Sequence, residues 1–186
     1  MSEASWRIDT AGWLSNATPA CRRVASPNFD PRPAGMPVEL LVIHNISLPP
    51  DQFGGPGVEQ LFTNTLDPDA HPYYAEIQGM KVSAHFFIRR DGSLIQFVSC
   101  LDRAWHAGVS QWQGRERCND FSIGIELEGS DACPFENAQY ATLERLSAAL
   151  HAAYPLRAVV GHSDIAPGRK TDPGPCFDWS RLSAAI

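Results

Sequence analysis

The sequence is short of the features that mark membrane, secreted and thiolate-metal proteins. No apolar run approaches the ~20 residues that a membrane-spanning helix needs. The first residues, Met1-Ser2-Glu3-Ala4-Ser5-Trp6-Arg7, hold neither the basic nor the apolar region of a secretory signal. Positive charge is in deficit: 15 Lys and Arg stand against 21 Asp and Glu, a formal net charge of -6. That balance argues against a nucleic-acid partner held through phosphates and against an anionic membrane surface. Five cysteines, Cys21, Cys100, Cys118, Cys133 and Cys176, are odd in number, scattered and without a Cys-x-x-Cys pair. Neither a disulfide framework nor a thiolate zinc site is written in them. The expected compartment is therefore a reducing cytoplasm. There is no His-Glu-x-x-His helix, internal repeat or low-complexity tract.

What is present is a globular composition of 186 residues, 44% hydrophobic and 19% charged. A chain of that length buries about 70% of its unfolded surface in one domain. Pro27, Pro31, Pro33 and Pro37 mark residues 1–37 as an irregular N-terminal arm laid on a single domain of residues 38–186. Val38-Glu39-Leu40-Leu41-Val42-Ile43-His44 is nearly all apolar, as in a strand buried on both faces. A short helix is expected over 58–65 and a long loop over 67–80. Residues 83–98 read as a hairpin about Asp91-Gly92. Residues 121–128 alternate, with Phe121, Ile123, Ile125 and Leu127 on one face and Ser122, Gly124, Glu126 and Glu128 on the other. An amphipathic helix is expected over 137–153, with Leu143, Leu146, Leu150 and Ala153 on its stripe and Pro155 beyond its end. A strand over 157–161 and a closing helix over 178–186 complete an α/β domain with a mixed central sheet flanked by helices.

Chemistry concentrates in Gly161–Pro175, where three prolines and three glycines stiffen the backbone around His162, Lys170 and Asp172. His44 ends the first buried strand and His162 follows the last. If those strands are parallel neighbours, both imidazoles emerge at the carboxyl edge of the sheet, where α/β proteins form ligand crevices. Asp172 is placed to swing back as a third ligand. Two His and one carboxylate leave a fourth tetrahedral position open, as in catalytic rather than structural zinc. Water on such an ion has a pKa of roughly 7 and becomes a nucleophile. A base is still required. Glu126 is the candidate, with Gly124 leaving room above the sheet; a solvent-facing Glu on an amphipathic strand is the competing reading. Lys170 lies two residues from Asp172, on the same side of an extended segment, within reach of a developing oxyanion.

These residues resemble a known family. Leu41-Val42-Ile43-His44-Asn45, Ser83-Ala84-His85-Phe86 with Arg90-Asp91-Gly92, Trp105-His106-Ala107-Gly108, residues 123–129 and the Gly161–Pro175 loop look like the zinc N-acetylmuramoyl-L-alanine amidases. Those enzymes share their fold with the peptidoglycan recognition proteins. Residues 107–111 and 113–120 are most similar to the cytoplasmic branch that acts on 1,6-anhydro-muropeptides. The resemblance implies one Zn²⁺ per chain, held by His44, His162 and Asp172, with Glu126 and Lys170 catalytic. It implies hydrolysis of the amide between the lactyl group of 1,6-anhydro-N-acetylmuramic acid and L-alanine, in cell-wall recycling that influences β-lactamase induction. Some members carry a Tyr before the His of the Ser-x-His strand and a Cys as third ligand; here Ala84 and Asp172 stand there, which adds weight to Glu126. Cys176 is a conceivable alternative ligand.

Candidate substrate contacts are Asn45, a wall made by Trp105 and His106, and Arg117, with Arg115 beside it, for the anionic stem peptide. His85 is expected in the core or behind the site, and His71 and His151 in packing or at the surface. The expected partner is a soluble muropeptide, bound by a monomer without nucleic acid or membrane. The alternative is a non-catalytic peptidoglycan-binding module of the same fold.

Overall fold

A computed structural model describes residues 6–17 and 21–182. In chain order it contains strands β1 (Arg7–Ile8), β2 (Leu14–Ser15), β3 (Arg22–Arg23), β4 (Phe29–Pro31) and β5 (Leu40–Ile46), then helices α1 (Gly57–Phe62) and α2 (Pro72–Glu76). Strands β6 (Phe86–Ile88), β7 (Leu94–Gln96), β8 (Asp102–Ala104), β9 (Gln111–Trp112), β10 (Arg115–Glu116) and β11 (Ser122–Glu128) follow. Helix α3 (Asn137–Ala153), strand β12 (Ala158–Gly161), the single-turn helix α4 (His162–Ile165) and a 3-10 turn at Trp179–Leu182 end the described chain.

The main sheet has six strands in the order β12-β5-β11-β6-β7-β3. β12, β5, β11 and β6 run parallel, and β7 returns antiparallel to β6. The sheet is therefore mixed, as expected. Leu40 to Ile43 are fully buried because both faces of β5 are covered. Leu41, Ile43, Ile123, Ile125 and Leu127 pack against Leu143, Leu146 and Leu150 of α3. On the opposite face Leu40 and Val42 pack with Ile165 of α4 and with Phe121. Phe121, expected beside Ile123, precedes β11 at the end of the 3-10 turn Cys118–Asp120 and so falls on this side. Each fully buried Leu contributes about 1.5–3 kcal/mol through removal of apolar surface from water. α3 begins with a capping box, in which the Glu136 N–H donates to Gln139 Oε1 at 3.0 Å. Ala153, expected on the apolar stripe, is exposed at the end of α3.

The β6–β7 hairpin turns where Asp91-Gly92 predicts. Gly92 has φ +81°, and the Ser93 N–H donates to Asp91 Oδ1 at 2.9 Å. Elsewhere the elements depart from the expected ones. The described residues of the 1–37 arm are more ordered than the prolines suggest: β3 extends the main sheet beside β7, and β4 pairs antiparallel with β8. The Arg32 guanidinium is drawn inside, donating to the carbonyls of Asn119, Asp120 and Ser122 at 3.1, 3.1 and 2.8 Å. The 67–80 loop contains α2, whose first turn is capped by His71 Nδ1 accepting from the Tyr73 N–H at 3.1 Å. The expected closing helix is a 3-10 turn over Trp179–Leu182, and residues 183–186 lie outside the described residues.

Leu146→Ala leaves a cavity between α3 and the sheet. It is expected to cost about 2–5 kcal/mol of unfolding free energy, measured by denaturant titration of the metal-free protein.

Candidate active site

Register assembles the site. In the parallel β5–β11 pair, Leu40, Val42 and His44 lie opposite Ser122, Gly124 and Glu126. Side chains two apart share a face, so Glu126 stands beside His44 on the side of the sheet away from α3. β12 pairs parallel with β5 on its other edge, with Val160 opposite Val42. His162 therefore emerges at the level of His44. It does so on the first turn of α4, a correction to the irregular loop expected over the whole of 161–175. A side chain at Gly161 would meet Pro173 Cδ at 2.8 Å, so the loop folds closely over the start of that helix.

His44 Nδ1, His162 Nδ1 and Asp172 Oδ2 are mutually 3.0, 2.9 and 3.1 Å apart. Both imidazoles are buried and Asp172 is mostly so. A carbonyl oxygen can only accept, so at 3.1 Å from Ala107 O the His162 Nε2 carries hydrogen. Its Nδ1 is the nitrogen turned toward the other two atoms. His44 Nε2 is 2.9 Å from His106 Nδ1. Two imidazole nitrogens and one carboxylate oxygen are a donor set that zinc accepts. Tetrahedral corners about 2 Å from a centre lie about 3.3 Å apart, close to the separations here. Among the described residues, these three form the group able to hold a metal ion, and Cys176 is not part of it.

Burial pushes the His44 imidazole down to about 4, although its hydrogen bond with Asp172 works the other way. Burial would raise the Asp172 carboxyl, but the hydrogen bonds with His162 and His44 outweigh it and hold the group below the usual carboxylate range. Both shifts favour the deprotonated forms that bind metal. Glu126 behaves oppositely. Burial first, then the neighbouring Asp172 charge, raises its carboxyl well above the ordinary value, with Lys170 opposing. It is 8% exposed, not solvent-facing, and its Oε2 lacks a hydrogen-bond partner. Glu128, two residues on, accepts from the Gly54 and Arg90 N–H groups.

Glu126, Lys170 and the three ligand-type residues line one cavity of about 260 Å³. Asn45 and Trp105 line it too. The Asn45 amide donates to Asp131 Oδ1 at 2.7 Å and Pro173 O at 3.1 Å, tying down the loop that carries Asp172. The Trp105 indole is fixed by Asp30 Oδ2 at 2.7 Å. Leu48, Phe62, Tyr73, Ile77 and Met80 add an apolar wall. His106 lines it as well, with both ring nitrogens engaged, Nδ1 2.9 Å from His44 Nε2 and Nε2 3.1 Å from Ser122 Oγ.

Arg117 is not brought to this cavity. With φ +61° and an ion pair to Asp120 at 3.1 Å, it lines a separate cavity with Arg103, Gly108 and Arg169. Arg115 is held by Glu39 and lies over the Phe121 ring. His85 is buried, its Nδ1 accepting from the Gly124 N–H at 3.1 Å. Two supporting residues carried no signal in the sequence. Asn119 Oδ1 accepts from the Ala107 N–H at 2.8 Å, and Arg169 donates to Ala107 O and Val109 O at 2.8 and 2.6 Å. Together they hold the loop that fixes His162.

Residues 34–175 match the family described as N-acetylmuramoyl-L-alanine amidase. The chain is 58% identical over 177 residues to the 1,6-anhydro-N-acetylmuramyl-L-alanine amidase AmpD of Salmonella typhimurium (strain SL1344), covering 94% of this chain and 92% of that one. It superposes on a selenomethionine AmpD crystal structure with a TM-score of 0.90 at 56% identity, covering 95% and 97% of the two chains. Escherichia coli AmiD, solved with anhydro-N-acetylmuramic acid-L-Ala-D-γ-Glu-L-Lys, matches with a TM-score of 0.60 at 30% identity, covering 96% and 65%.

A carboxyl whose folded pKa lies above its ordinary value of 4.5 destabilises the fold above that pH, and the penalty fades as pH falls below it. Glu126→Gln should therefore raise the Tm of metal-free protein near neutral pH, with the gain disappearing in acid. A Tm difference independent of pH would remove the buried-carboxylate reading.

Proposed function

The chain belongs to the N-acetylmuramoyl-L-alanine amidase family, and we propose that the amide it cuts joins the lactyl group of 1,6-anhydro-N-acetylmuramic acid to L-alanine of a stem peptide. It is an amidase of cell-wall peptidoglycan. The finer specificity is supported by 58% identity, across nearly the whole chain, to an enzyme named for that substrate. The observation that carries the mechanism is the approach of His44 Nδ1, His162 Nδ1 and Asp172 Oδ2 to within 3.1 Å in a cavity also lined by Glu126, a buried carboxyl whose Oε2 has no hydrogen-bond partner.

In this reading His44, His162 and Asp172 hold one zinc ion. Bound there, zinc would supply Lewis acidity and make water a nucleophile at neutral pH. Glu126 takes the proton of the attacking water and hands it to the departing nitrogen of L-alanine. Its raised proton affinity suits a group that must both accept and donate. The Lys170 ammonium faces the negative charge that develops on the carbonyl oxygen. The C–N bond breaks, leaving a lactyl carboxylate and a free amine. Trp105 and Asn45 contact sugar and peptide along the cavity wall.

The role that follows is cytoplasmic recycling of soluble cell-wall fragments by a monomeric, single-domain enzyme. Removal of anhydro-muropeptides would then bear on β-lactamase induction. A non-catalytic binding module of the same fold has no use for a carboxyl kept buried and unpartnered beside three ligand atoms.

Glu126→Ala should retain about one zinc per chain while kcat falls about 10²–10⁴-fold, the usual worth of a general acid–base. Lys170→Met should lose about 10²–10³-fold, as for other oxyanion donors. Mass spectrometry of products from anhydro-muropeptide reads both. Near wild-type cleavage by Glu126→Ala would show that another group moves the proton.

A further inference from the structure

His106 lines the cavity, where the sequence places it in a substrate wall, and its ring is also engaged behind the site. Its ring lies over Gly124, where a Cβ would meet His106 Cγ at 2.4 Å and Nδ1 at 2.7 Å. Only glycine admits the imidazole at this point on β11. His106 Nδ1 then lies 2.9 Å from His44 Nε2, and His106 Nε2 lies 3.1 Å from Ser122 Oγ. The His44 and His106 rings meet nearly perpendicular, with centroids 5.0 Å apart. Both residues and Ser122 are buried. Ser122, Gly124 and Glu126 share one face of β11. A single strand face thus anchors a hydrogen-bonded chain from Ser122 through His106 to His44 and also presents Glu126.

The chain of hydrogen bonds has two polarities. In one, His44 Nε2–H donates to His106 Nδ1, and His106 Nε2–H donates to Ser122 Oγ. His44 Nδ1 is then a bare lone pair, facing His162 Nδ1 and Asp172 Oδ2. In the other, Ser122 donates to His106 and His106 Nδ1–H donates to His44 Nε2. A neutral His44 then carries its hydrogen on Nδ1 and cannot ligate through it. We propose that His106, anchored by Ser122, is a positioning residue that accepts the His44 Nε2–H and so fixes the tautomer and ring orientation in which His44 Nδ1 binds metal. Outer hydrogen bonds of this kind orient ligating imidazoles and tune their basicity. The role rests on His44 being a ligand, as proposed above, and it explains why a histidine fills the space over Gly124.

The test is zinc affinity, by competition with a chromogenic chelator, for the wild type and the His106→Leu, His106→Asn, Ser122→Ala and His44→Ala variants. The Tm of each metal-free protein is measured alongside. His106→Leu removes the acceptor and should weaken zinc binding by about 10–100-fold, the range for loss of an outer-shell partner. His106→Asn can place its Oδ1 where Nδ1 lay and should recover most of the affinity. Ser122→Ala removes the anchor of the favoured polarity and should also weaken zinc, with little change in metal-free Tm. If His44→Ala loses zinc while His106→Leu and Ser122→Ala bind it like wild type, the positioning role is wrong and the ligand reading stands. Equal loss in His106→Leu and His106→Asn would overturn the role in favour of ring packing. If His44→Ala itself keeps full affinity, the ligand reading has failed first. Should His106→Leu not fold, Ser122→Ala decides.

Discussion

Two imidazole nitrogens and a carboxylate oxygen are held within 3.1 Å of one another by this fold, and most of the site follows from that constraint. His44 Nδ1, His162 Nδ1 and Asp172 Oδ2 gain nothing from such proximity unless a cation or a shared proton lies among them. The protein keeps them there by fixing each from behind. Ala107 O holds the far nitrogen of His162, His106 holds that of His44, and the Asn45 amide pins the loop next to Asp172. The shifts at His44 and Asp172 both favour the metal-ready forms.

That arrangement depends on a sheet whose stability lies elsewhere. The face of β5 and β11 that packs on α3 is continuous hydrocarbon, and the burial of Leu41, Ile43, Ile123 and Ile125 fixes the parallel register. Slipping β11 by one residue would bury Glu126 among leucines and turn Ile125 toward the cavity. The apolar core therefore sets which carboxylate faces the histidines. The six strands also place β5, β11 and β12 side by side, so three polar residues widely separated in sequence meet at one sheet edge.

Much of this was legible in the chain. The apolar run ending at His44, the alternation of 121–128 and the stripe of α3 all report burial through periodicity, and the strand-end logic for His44 and His162 required only that their strands be parallel neighbours. Other features depend on tertiary contacts that no local pattern reports. Alternation assigns Glu126 to a polar face, which reads as solvent, whereas the covering loops and helices enclose it. The glycines and prolines of 161–175 conceal the single turn that presents His162. Gly124 signals empty space but not which ring fills it. Arg117 looks free in the sequence, yet its left-handed backbone and its pairing with Asp120 turn it to another cavity. The short strands of the N-terminal arm exist because partners lie elsewhere in the chain, not because of their own propensity.

The central claim is that two imidazoles and a carboxylate grip one ion. X-ray absorption at the zinc edge of the purified, active protein tests it most directly. The account predicts two imidazole nitrogens with oxygen completing a four-coordinate shell, and no sulfur. A sulfur scatterer, or a single imidazole, would contradict it.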